Sequence, residues 1–255
     1  MITNHIRNLK SLGLSIMVII FIFTFYKTAS SQLGSSISTK IDIAWEAIDS
    51  YTRPMYEGRA LPGEESLIKA LALIEIKTPA GNLDPKKLFY AWTYNDYYIY
   101  NYSKTGGNII YLNLDSLKNI NTLKVQVYTN NTKETLIGEK VINIVPRQLI
   151  PIIYRKEENP ILTYANALNK KYESYLVEKG EALNMLIEPF NISAKSNRDN
   201  NIDYSWSVNN IPGTGESNSN FTYIINNKRE QSVGVKITNN QKLLQESETS
   251  IQFKY

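Results

Sequence analysis

An eight-residue pattern occurs twice in this chain of 255 residues. Residues 88–95 read LFYAWTYN and residues 202–209 read IDYSWSVN, so a Tyr, a Trp and an Asn recur at one spacing. Alternate residues of a β-strand share one face, which places the Tyr and the Trp of each copy on the same side. Because a Trp in mid-strand needs a second layer to cover it, each copy is predicted to be the central strand of its own β-sandwich.

The repeat also predicts how the chain divides into domains. The two copies start 114 residues apart (202 − 88), which is about the length of one sandwich domain. Domains of roughly 100 residues bury enough apolar surface to fold without covalent cross-links. We therefore expect an all-β protein with one sandwich over residues 41–146 and a second over residues 147–255.

The amino-acid composition limits the chemistry available to this protein. There is no cysteine, which excludes disulfides, thiol nucleophiles and thiolate metal sites. The one histidine, His5, precedes the apolar N-terminal segment, so the remaining chain has no imidazole for a catalytic triad or a metal site. We expect no enzymatic activity, no cofactor and no metal.

The net charge of +4 comes mostly from the N-terminal segment. Residues 1–31 contain Arg7, Lys10 and Lys27 and no acidic residue, so residues 32–255 carry 4 − 3 = +1. A nearly neutral pair of domains has no electrostatic field to attract nucleic acid. We therefore expect no nucleic-acid partner.

The segment 11–26, SLGLSIMVIIFIFTFY, contains sixteen residues without a charge, between Lys10 and Lys27. A basic start followed by an apolar run is typical of a secretory signal or a signal anchor. As a helix the run would span about 24 Å, and snorkelling lysines can extend it toward the roughly 30 Å of the hydrocarbon core. A buried core helix is the alternative.

These features predict that residues 11–26 contact a membrane and that the rest of the chain lies outside the cytoplasm. Residues 1–31 are expected to be a signal peptide or a signal-anchor helix. The small residues 29–31 are suitable for cleavage, so both a secreted and a membrane-anchored product are compatible with the sequence. Residues 32–40 are small and polar and are predicted to be a flexible spacer.

Alternating apolar residues between turn residues predict the other strands. In the first domain these are residues 41–47, 67–76, 108–114, 122–128 and 136–145. In the second they are residues 149–154, 181–193, 221–225, 232–238 and 243–253. The near-continuous apolar run within 67–76 could also be helical, but the Pro and Gly residues on either side of it favour a strand.

Some segments are predicted to depart from regular strands. Pro189 predicts an edge or a bulge in its strand, and residues 210–220 are predicted to be a loop. Apolar spacings of three and four in residues 160–176 predict one or two helical turns, and the stretch PRQLIP at 146–151 predicts a short, stiff connection.

Residues 94–102, YNDYYIYNY, are the most aromatic stretch of the chain. Exposed tyrosines suit the binding of sugar rings or partner surfaces, because the ring is large and rigid and ends in a hydroxyl. The candidate ligand-binding face consists of Tyr94, Tyr97, Tyr98, Tyr100 and Tyr102. The alternative is that Tyr98, Tyr100 and Tyr102 alternate along a strand and cover one edge of the core.

Two acidic patterns resemble functional sites. Asp199, Asn201 and Asp203 have the spacing of a calcium loop but lack its glycine and its distal glutamate, which favours an ordinary turn before a strand. The pairs Glu64-Glu65 and Glu157-Glu158 consist of adjacent residues, whose side chains point apart, so solvated loop charges are favoured over a hydrolytic pair. Trp92 and Trp206 are interpreted as core residues.

The Tyr-x-Trp strands and the late strands ending in Thr-Asn-Asn resemble immunoglobulin-like and PKD-type modules of bacterial surface proteins. Trp45, YTRPMYEGRALP at 51–62, and Glu-Pro-Phe at 188–190 extend this to a resemblance to uncharacterised exported proteins of reduced-genome bacteria. The resemblance implies two tandem immunoglobulin-like (PKD-like) β-sandwiches behind an N-terminal hydrophobic helix, and it implies no activity. Where PKD modules continue Trp-Asp-Phe-Gly-Asp, this chain has Trp-Thr-Tyr-Asn-Asp and Trp-Ser-Val-Asn-Asn.

Taken together, the sequence predicts an exported or membrane-tethered surface protein with a binding or structural role. Adhesion, organisation of the cell envelope and membership of a surface appendage all fit, with a cell-envelope protein or a glycan as partner. One alternative is a carbohydrate-binding module that uses the aromatic face. The other is a carboxylate-dependent hydrolase, which requires two acids facing each other across a groove.

Overall fold

The computed structural model describes residues 38–53, 57–78, 81–156, 167–168, 174–178, 180–213, 218–225 and 230–254. Over these residues the chain consists of β-strands, loops and one 3-10 helix, Pro85–Lys87. The strands form two tandem immunoglobulin-like β-sandwiches, as the repeat predicted. We refer to Ser38–Ile144 as the first module and to Ile150–Lys254 as the second.

The described residues of the first module form nine strands in two sheets. The strands are β1 Ser38–Ala47, β2 Leu67–Thr78, β3 Gly81–Asn82, β4 Phe89–Tyr94, β5 Tyr97–Tyr98, β6 Lys104–Thr105, β7 Ile109–Asn113, β8 Asn121–Tyr128 and β9 Leu136–Ile144. One sheet has the order β1-β2-β3 with β7 also paired to β2, and the other has the order β5-β4-β8-β9 with β6 also paired to β4. The pairs of β2 with β3 and β7, of β4 with β5, β6 and β8, and of β8 with β9 are antiparallel.

The core of the first module follows from alternation along its strands. Ile68, Ala70 and Ala72 are buried on β2, and Leu123, Val125 and Val127 are buried on β8, each with more exposed residues between them. Each sheet therefore has one apolar inner face. β4 is buried on both faces over Phe89–Trp92, as expected for a central strand.

The described residues of Ser38–Lys40 and Glu75–Leu83 form a compact unit of their own, and the remaining described residues, with both sandwich cores, form another. Within the small unit, Lys77 pairs with Asn82 and Thr78 with Gly81. The Lys77 ammonium lies 2.9 Å from the Glu75 carboxylate, and its hydrogen bond lowers the pKa of Glu75.

In the part of the second module that the structure describes there are eight strands. They are β10 Ile150–Arg155, β11 Ser174–Leu176, β12 Ala182–Phe190, β13 Ile202–Val208, β14 Ile211–Pro212, β15 Asn220–Ile224, β16 Gln231–Asn239 and β17 Glu246–Lys254. One sheet has the order β10-β12-β15 and the other β11-β17-β16-β13-β14. Its buried cluster contains Trp206, Ile187, Val235 and Phe253 but not Trp92, so the two tryptophans occupy separate cores.

The two copies of the repeat make equivalent structures. Trp92 is fully buried and donates its indole N–H to the carbonyl of Gly107 at 2.7 Å, while Trp206 is 5% exposed and donates to the carbonyl of Asn218 at 3.0 Å. Tyr90 and Tyr204 each donate a hydroxyl to a backbone carbonyl preceding their own strand. The prediction that both tryptophans are core residues is confirmed.

The repeated asparagines begin equivalent turns. Asn95 and Asn209 have φ values of 48° and 50°, and the residue after each also has a positive φ. Two successive residues of positive φ form the two-residue hairpin turn that matches the twist of antiparallel strands. Each asparagine side chain also accepts a hydrogen bond from the next long strand, Asn95 from Thr122 N–H and Asn209 from Ser232 N–H, both at 2.9 Å.

The structure corrects or refines three local predictions for the second module. Most of residues 160–176 lies outside the described residues, and its last three residues form strand β11, parallel to β17, instead of a helix. Residues 210–220 are not wholly loop, because Ile211–Pro212 pairs with β13. Pro189 lies opposite Pro151, beyond the part of β12 that pairs with β15, so no neighbour needs its missing N–H.

Candidate functional site

The candidate tyrosines occupy different environments at the hairpin of β4 and β5. The Tyr94 hydroxyl donates to the side-chain oxygen of Asn121 and accepts from the backbone N–H of Asp115 at 2.7 Å. Burial raises the pKa of the Tyr94 hydroxyl. Tyr94 is therefore engaged in hydrogen bonds within the module, and Tyr102 is half-buried.

Tyr97, Tyr98 and Tyr100 present most of the aromatic surface. Tyr98 pairs with Thr93 and Tyr97 with Tyr94, so Tyr97 and Tyr98 point to opposite faces of the sheet. Tyr97 is 77% exposed and Tyr100 is 81% exposed. The rings of Tyr98 and Tyr100 meet edge to face, with centroids 4.7 Å apart and an interplanar angle of 76°.

A lysine from a distant turn completes this surface. The Lys133 ammonium lies 4.5 Å from the centroid of the Tyr98 ring and 5.8 Å from that of Phe89. Both distances are within the range of cation–π attraction. We call Phe89, Tyr98, Tyr100 and Lys133 the aromatic platform. Sequence reasoning missed Lys133, because it lies in the turn between β8 and β9 and no local pattern connects it to the tyrosines.

A second cluster lies where the first module meets the second, which we call the joint. Here the segment after β1 adds to the second module through backbone hydrogen bonds: Tyr51 N–H donates to the Ile192 carbonyl at 2.8 Å, and Ala194 N–H donates to the Asp49 carbonyl at 2.9 Å. The Tyr51 ring belongs to the buried cluster of the second module. The first module therefore contributes a side chain to the core of its neighbour.

In the joint, Tyr51 donates a hydrogen bond to a buried carboxylate. Glu188 is 3% exposed and accepts a hydrogen bond from the Tyr51 hydroxyl at 2.7 Å and one from the Asn197 amide at 3.1 Å. Arg53 lies over the rings of Tyr154 and Phe190, at 5.8 and 5.1 Å. Burial raises the pKa of Glu188, although its two hydrogen bonds and the charge of Arg53 act in the opposite direction.

The joint predicts a pH-dependent cost for Tyr51→Phe. At pH 8 we expect the variant to lose about 1.5–3 kcal/mol of unfolding free energy, the usual value of a hydrogen bond to a charged group. The raised pKa means that the contribution of Glu188 to stability is complete below its ordinary value of 4.5 and is lost as the pH rises through the folded-state pKa. Removing the Tyr51 donor raises that pKa further.

The cost of Tyr51→Phe should therefore be larger at pH 8 than at pH 4, as measured by urea denaturation across that range. The titratable and charged groups around Glu188 are Tyr51, Arg53 and, at longer range, Tyr154 and Tyr204. The control is the same Tyr51→Phe comparison made in a Glu188→Gln chain, which lacks the titrating carboxyl group. A pH-independent cost would contradict the assignment of the effect to Glu188.

Polar side chains close the other side of the joint. Gln245 donates to Ser193 Oγ at 2.9 Å and to the backbone carbonyl of Glu64. Lys242 donates to the Glu65 carbonyl at 2.8 Å, and the Glu65 carboxylate accepts from Leu244 N–H at 3.1 Å. The interpretation as solvated loop charges is therefore wrong for Glu65, whose carboxylate binds the second module, whereas Glu64 contacts that module through its backbone carbonyl. Glu157 and Glu158 lie outside the described residues.

The acidic pattern at Asp199 is a turn, as favoured from the sequence. Its two carboxylate oxygens accept hydrogen bonds from the backbone N–H groups of Lys195 and Asn201, at 2.8 and 3.1 Å. These bonds lower the pKa of Asp199. Over the described ranges no group of three or more His, Cys, Asp or Glu residues is arranged to hold a metal ion.

The predicted N-terminal helix at residues 11–26 lies outside the described residues. Within the described part, none of the helical structure is long and apolar enough to cross a membrane.

Comparison with known proteins gives a likeness of fold only. No protein-family model matches the chain, and no curated protein sequence matches it. Among solved structures, it is similar to the three N-terminal domains of the highly immunogenic outer capsid protein (Hoc) of bacteriophage RB49. That match has 13% identity and a TM-score of 0.42, and covers 86% of this chain and 59% of the Hoc chain.

The chain is also similar to two further solved structures. The fibronectin(III)-like modules of Clostridium thermocellum CbhA match with 11% identity and a TM-score of 0.28, covering 84% of this chain and 93% of theirs. Immunoglobulin domains 1–4 of Sidekick-1 match with 10% identity and a TM-score of 0.30, covering 88% of this chain and 50% of theirs. The chain thus spans about three fifths of the Hoc structure and half of the Sidekick-1 structure.

Proposed function

We propose that this chain is an exported or membrane-tethered bacterial surface protein whose two sandwiches act as one stiff arm with a non-catalytic binding or structural role. Adhesion, envelope organisation and membership of a surface appendage are the roles that such an arm serves. The observation that carries the proposal is the position of Tyr51, a residue of the first module whose ring packs in the core of the second.

The joint differs from an ordinary connection between domains. Domains joined by a polar linker with few crossing contacts move relative to each other by default. Here the backbone of Asp49 and Tyr51 extends the second module, Arg147 N–H donates to the Pro62 carbonyl at 2.8 Å, and the buried Glu188 accepts the Tyr51 hydroxyl. Bending at the joint would expose these groups and leave a buried carboxylate with one donor fewer, which is costly.

The carboxylates of the second module support a non-catalytic role. Asp199 and Asp203 line one groove of about 640 Å³, but a glycoside hydrolase needs one carboxyl group that stays protonated to act as the acid. Asp199 has a lowered pKa because backbone N–H groups bind its oxygens. Glu188 does have a raised pKa, but it is buried and already bonded to Tyr51 and Asn197.

Export is proposed from the apolar segment at 11–26, and it can be tested directly. Alkaline phosphatase fused after Tyr255 should be active in cells, because that enzyme forms its disulfides only outside the cytoplasm. Deleting residues 11–26 from the same fusion should abolish activity while the fusion protein is still made, as followed by immunoblot. Equal activity with and without the segment would contradict export. The immunoblot also separates a cleaved product from a retained anchor by size.

A further inference from the structure

We propose that the aromatic platform of the first module binds an acidic polysaccharide. In this proposal the apolar face of a sugar ring stacks on Tyr100, and the carboxylate of a uronic acid unit binds the ammonium group of Lys133. The inference deepens the proposed function, since it names a ligand class for the binding role, and it does not depend on the export of the chain.

The geometry of the platform assigns Tyr98 a central position. The Tyr98 ring contacts both partners. The Lys133 ammonium lies 4.5 Å from its centroid, and the Tyr100 ring meets it edge to face. Tyr98 itself is held by pairing of β5 with β4, directly opposite Thr93. Tyr98 therefore fixes the stacking ring and the cation relative to each other, which reduces the entropy lost on binding.

Tyr100 has the free surface that a sugar requires. Its side chain is 81% exposed even though its ring contacts Tyr98, so most of the ring is open to a ligand. A tyrosine ring offers a large, rigid apolar surface with few rotatable bonds. Such a surface matches the flat, C–H-rich face of a pyranose ring.

Lys133 supplies the charge complementarity. Among the described residues it forms no ion pair, and its cation–π contact leaves ammonium N–H donors for an anion. The nearby sheet face carries one further lysine, Lys124, opposite Thr93, while Glu139 accepts a hydrogen bond from Gln126 at 3.0 Å.

One or two available cations suit a polymer with widely spaced carboxylates better than nucleic acid, whose binding requires neutralisation of many closely spaced phosphates. The charge of +1 over residues 32–255 agrees with this choice. Stacking on one ring together with one ion pair is also expected to give a weak single site, which a repeating polymer strengthens by multivalency.

The test measures binding of the purified full-length chain to three probes by calorimetry. They are polygalacturonate, its fully methyl-esterified form, which keeps the sugar rings but removes the charge, and polyglutamate, which keeps the charge but lacks sugar rings. We expect binding to polygalacturonate, at least about tenfold weaker binding to the ester, and no measurable binding to polyglutamate. Absence of binding to polygalacturonate, or equal binding to all three probes, overturns the proposal.

Variants locate the site. Tyr100→Ala should weaken polygalacturonate binding about tenfold, as expected from loss of one aromatic contact, while Tyr100→Phe should bind like the wild type. Lys133→Gln should weaken it about tenfold and reduce its dependence on salt. Tyr97→Ala and Lys118→Gln are matched exposed controls off the platform and should have no effect. Losses in these controls equal to those in the platform variants overturn the assignment. Export is tested separately by the alkaline phosphatase fusion, so failure of export and failure of polysaccharide binding can be told apart.

Discussion

Replacing Trp92 with alanine should lower the unfolding free energy of the first module by about 3–5 kcal/mol, the usual cost of emptying a large buried aromatic site. The Trp92 side chain is completely buried. Its indole N–H donates to the Gly107 carbonyl at 2.7 Å, so the substitution also removes the partner of a buried acceptor. Tyr90, on the same face of β4, is itself fully buried, and packed neighbours relax only partly into such a cavity.

The loss should be confined to the first module. Trp206 lies in a separate cluster with Phe221, whose ring stacks on it at 4.9 Å and 9°, and this core does not include Trp92. Urea denaturation followed by far-UV circular dichroism should therefore show an early transition for about half of the signal in Trp92→Ala. The control is Trp45→Ala, which removes a half-buried indole covered by the guanidinium of Arg59 at 3.8 Å.

We expect the Trp45→Ala cost to stay below about 2 kcal/mol, because less apolar surface is lost from the interior. A single, cooperative shift of the whole chain in Trp92→Ala would contradict the confinement of the loss to the first module, and would mean that the joint couples the unfolding of the two modules. A cost for Trp92→Ala no larger than that for Trp45→Ala would contradict its role as the central core residue.

Much of the fold could be predicted from the sequence because its determinants are local. Apolar patterns between turn residues predicted every strand of five or more residues in the described part of the chain, and the repeat predicted the equivalence of Trp92 and Trp206. The two-residue strands β3, β5, β6 and β14 were missed, because two residues are too few to establish a periodicity. The Asn-Asp and Asn-Asn pairs that follow the repeated Trp strands carry a turn signal that explains two of these four short strands, β5 and β14.

The candidate sites were only partly accessible from the sequence. The aromatic stretch at 94–102 was apparent, but whether a tyrosine points outward depends on tertiary contacts, as the internal hydrogen bonds of Tyr94 show. The joint was predicted only as a short connection at residues 146–151. Its main contact joins Tyr51 to Glu188, 137 residues apart, and nothing in the local pattern of either residue identifies such a partner.

Substituting Gly63 with alanine should disrupt the joint while leaving each sandwich able to fold. A Cβ atom at Gly63 would lie far inside van der Waals contact with the carbonyl oxygen of Asn191 and 3.1 Å from its carbonyl carbon. Both atoms belong to backbone, which cannot rotate away as a side chain can. Asn191 also has a φ of 65°, so its peptide is held in a turn conformation that few residues adopt.

We expect Gly63→Ala to cost about 3 kcal/mol, at the upper end of the range for overpacking. Gly213→Ala is the matched control, since the nearest atom to its added Cβ is 3.4 Å away, an ordinary contact. That substitution should change the unfolding free energy by less than about 1 kcal/mol. Both glycines have a backbone conformation outside the left-handed region, so the comparison isolates the clash.

The stiffness of the joint can be read from the distance between two spin labels. Because the chain has no cysteine, Leu117→Cys in the first module and Ile211→Cys in the second provide two unique and exposed attachment sites. Pulsed electron resonance should give a narrow distance distribution in the otherwise wild-type chain and in Gly213→Ala, and a broad one in Gly63→Ala. A broad distribution in the wild type would contradict the stiff arm, because the Tyr51–Glu188 contact would then be open in much of the population. An unchanged narrow distribution in Gly63→Ala would mean that the Tyr51 and Glu188 contacts hold the modules together without the close approach of Gly63 to Asn191.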